Sequence, residues 1–219
     1  MTRGDAARLT ARPGAPTQAP PGPGDHRLGI GATRDVTLFV PARYAVPAPL
    51  VLCLHGAGGN AKHRIDPLRP FAERAGALLV APDSVGSSWD VLYGGFGPDI
   101  ARIEEALEIA FARFAVDPAR VAIEGFSDGA SYALSLGLTN GDLFRRIVAF
   151  SPGFNAAVRI VNHPRVLVTH GIWDHVLPVA CSRRIVPRLR EAGLDVEYHE
   201  FRGLHVVPKR FVREAFASL

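Results

Sequence analysis

A chain of 219 residues, 47% hydrophobic and 21% charged, has the composition of one globular domain of moderate size, too short for two domains with separate cores. No apolar run approaches the roughly 20 residues of a membrane-spanning helix, so stable membrane insertion is not expected. The formal charge of +4 comes from arginines spread along the chain among acids, which predicts a solvated surface and no nucleic-acid partner.

In chain order, the first residues, from Met1 to Arg8, lack the apolar stretch of a secretory signal, which predicts a cytoplasmic protein. Residues 10–25 are too rich in proline and glycine to pair as strands or wind as a helix, and are expected to wrap the surface or to be partly mobile. Residues 1–30 are therefore read as a partly irregular N-terminal segment ahead of a domain over 31–219. Beyond it, short β-rich runs at 35–40, 50–55, 77–81, 121–125, 147–150, 166–170 and 196–201 alternate with helical patterns. The helical patterns cover 62–75, 100–114, 127–138, 181–192 and 206–219. This alternation predicts an α/β fold with a mostly parallel central sheet and helices on both faces. Cys53 falls inside an apolar run and Cys181 opens a helix, and neither has metal-ligand or redox spacing.

In open sheets of this kind ligands bind beyond the carboxyl ends of the strands. Four such ends carry distinctive residues: His55-Gly-Ala-Gly-Gly59, Pro82-Asp-Ser-Val-Gly86, Gly125-Phe-Ser-Asp-Gly129 and His170-Gly-Ile-Trp-Asp174. The third is a G-x-S-x-G pattern between a β-run and a small-residue helix, where a sharp turn pushes its serine toward a substrate. Ser127 is thus the candidate nucleophile. A serine hydroxyl is weak at neutral pH and needs a histidine to take its proton and an acid to orient that histidine. Asp174 and His205, both at downstream strand ends, are the candidates. Asp128 begins a helix, where the exposed amides favour a carboxylate, and Asp83 is a distant second acid. His175 adjoins Asp174 and points elsewhere. His170 reads as a core histidine, His199 as an exposed strand residue and His55 as a brace for its own turn.

The order Ser127, Asp174, His205, with the motifs 55–59, 125–129, 171–178 and 203–205, resembles the α/β-hydrolase superfamily from about residue 35 onward. Within it the chain looks like the small phospholipase/carboxylesterase and polyhydroxybutyrate depolymerase-like esterases. The backbone amide of Asp128, which follows the nucleophile, is one expected oxyanion donor. The resemblance implies the Ala57 amide as the second, with Gly58 next. Only 151–164 separates two successive β-runs, so no large cap domain is expected. Trp173, Trp89, Phe154, Tyr93 and Phe96 are candidates for lining a substrate pocket, Trp173 foremost because it adjoins Asp174, with ordinary packing the alternative for the others. No metal and no cofactor is implied, and the oligomeric state is not legible. The expected activity is that of a serine carboxylic ester hydrolase acting through an acyl-enzyme on small-molecule esters of short or medium acyl chains. Thioesterase, acyltransferase or peptidase action by the same three residues, or a non-catalytic binding module on this scaffold, are the alternatives.

Overall fold

The computed structural model describes residues 7–219; the first six residues, on which part of the leader expectation rests, lie outside this range. Among the described residues, eight strands form one sheet in the order β1-β2-β4-β3-β5-β6-β7-β8. They are β1 (Gly24–Arg27), β2 (Val36–Val40), β3 (Ala48–Leu54), β4 (Leu78–Pro82), β5 (Val116–Phe126), β6 (Arg146–Phe150), β7 (Arg165–Gly171) and β8 (Val196–Phe201). The pairs β1–β2 and β2–β4 are antiparallel. From β4 through β3 to β8 every pairing is parallel, so six strands end at one edge.

Five helices follow: α1 (Ala61–Ala75), α2 (Pro98–Arg113), α3 (Asp128–Thr139), α4 (Ala180–Glu191) and α5 (Lys209–Ala217). The period of two in the strands sorts the core into two layers. Leu50, Leu52 and Leu54 face α2 and α3, while Val51 and Cys53 face α1 and α5. Asn60 caps α1 by accepting from the His63 amide, and Gly76 ends it at φ +61°, the left-handed conformation favoured at helix ends. Near-continuous burial along β3, β4 and β6 follows from cover on both faces.

Three expectations about boundaries change. The last residues of the proline-rich run do pair: Gly24 and Asp25 sit opposite Val40 and Phe39 at the sheet edge. The prolines stop at Pro23, and the four residues after it keep the amides that an edge strand needs. The final helix begins at Lys209 and not at residue 206, because Pro208 lacks an amide and fits the entry to a helix better than its interior. β5 starts five residues earlier than the apolar run suggests, with an irregular register beside Ala48.

Ahead of β1, the chain lies across α2 and the end of α3. Leu9 is buried, its amide bonds to the Asn140 side chain, and Arg8 makes a two-pronged ion pair with Asp142. The connection 151–164 contains no helix, and no large cap covers the carboxyl edge of the sheet. Among the described residues no helix is long and apolar enough to cross a membrane.

Candidate active site

β5 ends at Phe126 and α3 begins at Asp128, which leaves Ser127 as the whole turn. Its φ is +59°, a region that a non-glycine residue occupies only when its surroundings enforce it. The flanking glycines show how. A Cβ on Gly125 would lie 2.1 Å from the Gly129 carbonyl oxygen, and one on Gly129 would lie 2.3 Å from that of Leu54. Only glycine lets strand and helix come this close. The Ser127 amide donates to Phe150 O at 2.9 Å, and the Ser127 carbonyl accepts from Ala130 and Ser131 to start the helix. The hydroxyl is thereby fixed at the carboxyl edge.

His205 follows β8 and Asp174 follows β7. His205 Nε2 is 2.8 Å from Ser127 Oγ, and His205 Nδ1 is 2.5 Å from Asp174 Oδ2. The other carboxylate oxygen of Asp174 accepts from the amides of Val176 and Leu177, both at 2.9 Å. Burial pushes the Asp174 carboxyl up, but the His205 hydrogen bond and those two amides outweigh it and hold the group below the ordinary carboxylate value. An ionised Asp174 keeps the proton of His205 on Nδ1, leaving the Nε2 lone pair for the serine hydroxyl. The Trp173 amide donates to Gly203 O at 3.1 Å, tying the loop of the acid to the loop of the histidine.

The decoy histidines have other duties. His170 is fully buried, hydrogen-bonded through Nε2 to Leu177 O and through Nδ1 to Ser182 Oγ, both at 2.7 Å. Because a carbonyl only accepts, Nε2 carries the hydrogen and Nδ1 accepts from the serine, a neutral tautomer. Burial accordingly lowers the His170 value, as it does that of His55. His55 donates from Nδ1 to Gly56 O at 2.7 Å and accepts the Ser84 amide on Nε2 at 2.9 Å, bracing the turn that follows it.

That turn, closed by the Gly59 amide on Gly56 O, packs against the serine: a Cβ on Gly56 would lie 3.3 Å from Ser127 Cβ. Among the described residues the amides of Ala57 and Asp128 have no hydrogen-bond acceptor. Gly58 is a correction. Its amide donates to Ser87 O at 2.7 Å and so is not free to serve an oxyanion. Its φ of +67° instead gives the turn its shape. The Asp128 carboxylate accepts from Ser88 Oγ at 2.8 Å, which anchors the 83–97 loop to the Ser127 turn.

Of the aromatic candidates, Trp89 is a second correction. It is 0% exposed, stacks on Tyr132 with ring centres 5.1 Å apart, and donates from Nε1 to His55 O at 2.8 Å. It is a buried prop for the 55–59 turn and has no surface for a substrate. Trp173 is 52% exposed beside Asp174, and Phe154 is half-buried in a loop whose Gly153 amide donates to Ser131 Oγ. Sequence reasoning did not single out Ser84, Ser87 and Ser88, because an irregular loop has no periodicity to mark which serines face the site.

The sequence and structure have known counterparts. Residues 95–219 match the family model described as phospholipase/carboxylesterase. NocK of Nocardia uniformis subsp. tsuyamanensis, which is named as an esterase, is 31% identical over 165 residues, 68% of this chain and 47% of that protein. Feruloyl esterase B of Neurospora crassa is 27% identical over 122 residues, 52% of this chain and 42% of its own. The chain thus spans less than half the length of these two relatives. Among solved structures, esterase PE8 superposes with a TM-score of 0.62 at 28% identity, covering 83% of this chain and 97% of the other. The matched region includes the turn of Ser127, Asp174 and His205, and the chain belongs to the phospholipase/carboxylesterase family of the α/β-hydrolase fold.

Proposed function

We propose that the protein is a serine carboxylic ester hydrolase in which Ser127 is the nucleophile, His205 the general base and acid, and Asp174 the orienting carboxylate. The observation that carries this reading is the unbroken path Ser127 Oγ, His205 Nε2, His205 Nδ1, Asp174 Oδ2, with spacings of 2.8 and 2.5 Å at its two hydrogen bonds. Ser127 Oγ attacks the ester carbonyl carbon while His205 Nε2 takes the hydroxyl proton. The tetrahedral oxyanion is held by the amides of Asp128 and Ala57, a contribution worth about 3 kcal/mol per donor in acyl transfer. Collapse expels the alcohol, which leaves with the proton from His205. Water then repeats the sequence on the acyl-enzyme and releases the carboxylic acid.

The substrates are small-molecule esters of short or medium acyl chains, admitted without a cap. Exposed Trp173 offers an apolar surface beside the acid for an acyl or alcohol group. A series of p-nitrophenyl esters from acetate to decanoate, with matching thioesters and amides, measures acyl length and bond preference. Esters should dominate, and Ser127→Ala should lower kcat on the order of a million-fold. Full activity of a pure Ser127→Ala preparation would overturn the assignment.

A further inference from the structure

The amino edge of the sheet, opposite the Ser127 edge, gathers arginines far apart in sequence. Arg120, Arg145, Arg146 and Arg165, with Ser218 and Leu219, line a cleft of about 110 Å³. Arg146 and Arg165 are direct register partners across β6 and β7, a like-charge pairing that sheets normally avoid. Two of the four charges are answered: Arg120 pairs with Asp117 at 2.8 Å and Arg165 with Asp195 at 3.0 Å. Arg145 is exposed, and among the described residues neither it nor Arg146 makes an ion pair. Arg146 is 8% exposed, and its Nε is buried without a hydrogen-bond partner.

A guanidinium cannot shed its proton to escape burial, so an unpaired one in this position is costly to keep. Burial, then the neighbouring charge of Arg165, weakens the hold of Arg146 on its proton, although Glu197, Glu214 and Asp195 act in the opposite sense from β8, α5 and the loop before β8. None of those acids lines the cleft: Glu197 and Asp195 border a neighbouring hollow with Arg146 and Arg165, Glu197 and Glu214 flank His199 at 2.8 and 3.4 Å, and Asp195 pairs with Arg165. On the cleft itself the guanidiniums of Arg145 and Arg146 have no ion pair among the described residues, and a planar guanidinium is suited to oxygen pairs.

We infer that this cleft is a binding site for a dianionic tetrahedral oxyanion, either inorganic phosphate or the phosphate of a phosphomonoester, held by the Arg146 fork and the charge of Arg145. A dianion in the cleft pairs with the two guanidiniums that have no ion pair. Arg120 and Ser127 lie on the same strand and its turn, seven residues apart, or about 23 Å in extended backbone. The site is therefore separate from ester hydrolysis.

Thermal unfolding of the intact chain in inorganic phosphate, in glycerol 3-phosphate and in chloride at matched pH and ionic strength tests the inference. Phosphate should raise Tm saturably, on the order of 5 °C at a hundredfold excess over Kd, where chloride does not. Arg146→Gln should abolish the shift. The exposed Arg145→Ala should fold normally, weaken binding roughly tenfold and leave ester turnover unchanged. A stronger shift with glycerol 3-phosphate identifies a phosphomonoester site, and a stronger one with the free ion identifies a phosphate site. Coincident phosphate and chloride curves, or a shift retained in both variants, would overturn the proposal.

Discussion

At the carboxyl edge of the sheet, Asp174 is buried and both its oxygens are engaged, by His205 and by the amides of Val176 and Leu177. At the amino edge, Arg146 is buried to a similar degree and its Nε has no partner among the described residues. The contrast separates two kinds of site. In the role proposed for Asp174, an orienting carboxylate must be held in one place before substrate arrives, so its hydrogen bonds are internal. A binding site can leave a guanidinium without an ion pair until its ligand arrives.

The sharpest way to break the carboxyl-edge half of this comparison is Asp174→Asn. The fold and the loop amides should survive, but the amide no longer enforces the useful tautomer of His205, and kcat should fall about 10,000-fold. Steady-state kinetics on p-nitrophenyl acetate, with circular dichroism to check folding, decide it. A smaller loss is expected from Trp89→Phe, which removes the hydrogen bond to His55 O and leaves part of the indole space empty. Stability should drop by about 2 kcal/mol in urea unfolding. A slackened 55–59 turn should lower kcat by up to about 100-fold with KM nearly unchanged.

The buried histidines make stability depend on pH with a definite sign. His55 and His170 titrate below the ordinary imidazole value because burial disfavours their charged forms. The unfolded chain therefore binds protons near pH 6.5 that the folded chain refuses, and stability falls as pH drops through that range until the folded values are reached. The slope is at most about 1.4 kcal/mol per pH unit for each histidine, and His170→Asn should flatten it by one proton's worth in urea midpoints between pH 7.5 and 5. Asp174, held low, adds a further loss only as pH falls below about 4, through its folded value. The smallest effect belongs to Asp128→Asn. It keeps the backbone amide and an acceptor for Ser88 Oγ, so kcat should change less than about threefold, within the worth of one neutral hydrogen bond. A loss matching that of Asp174→Asn would exchange the roles assigned to the two aspartates.

What could be read in the sequence follows from which contacts are local. Ser127, Asp174 and His205 stand out because each lies within four residues after a strand, and parallel strands deliver such ends to one edge. Gly125 is legible for the same reason, since its Cβ would meet Gly129 four residues on, whereas the contact of Gly129 with Leu54 and His55 depends on the pairing of β3 with β5. Trp89 was misread as a substrate contact because its partners, His55 and Tyr132, lie 34 and 43 residues away across an irregular loop. Gly58 was misassigned because the Ser87 carbonyl that occupies its amide lies in that same loop. The arginine cleft was invisible, because Arg146 and Arg165 become neighbours only through the register of β6 and β7.

The central claim is that Ser127 is the group that His205 activates. Incubation of the intact protein with a fluorophosphonate, followed by intact-mass measurement and peptide mapping, tests it most directly. One phosphonyl adduct per chain is expected, carried by the peptide containing Gly125-Phe-Ser-Asp-Gly129 and lost in Ser127→Ala. An unlabelled wild-type protein, or an adduct that persists in Ser127→Ala, would contradict it.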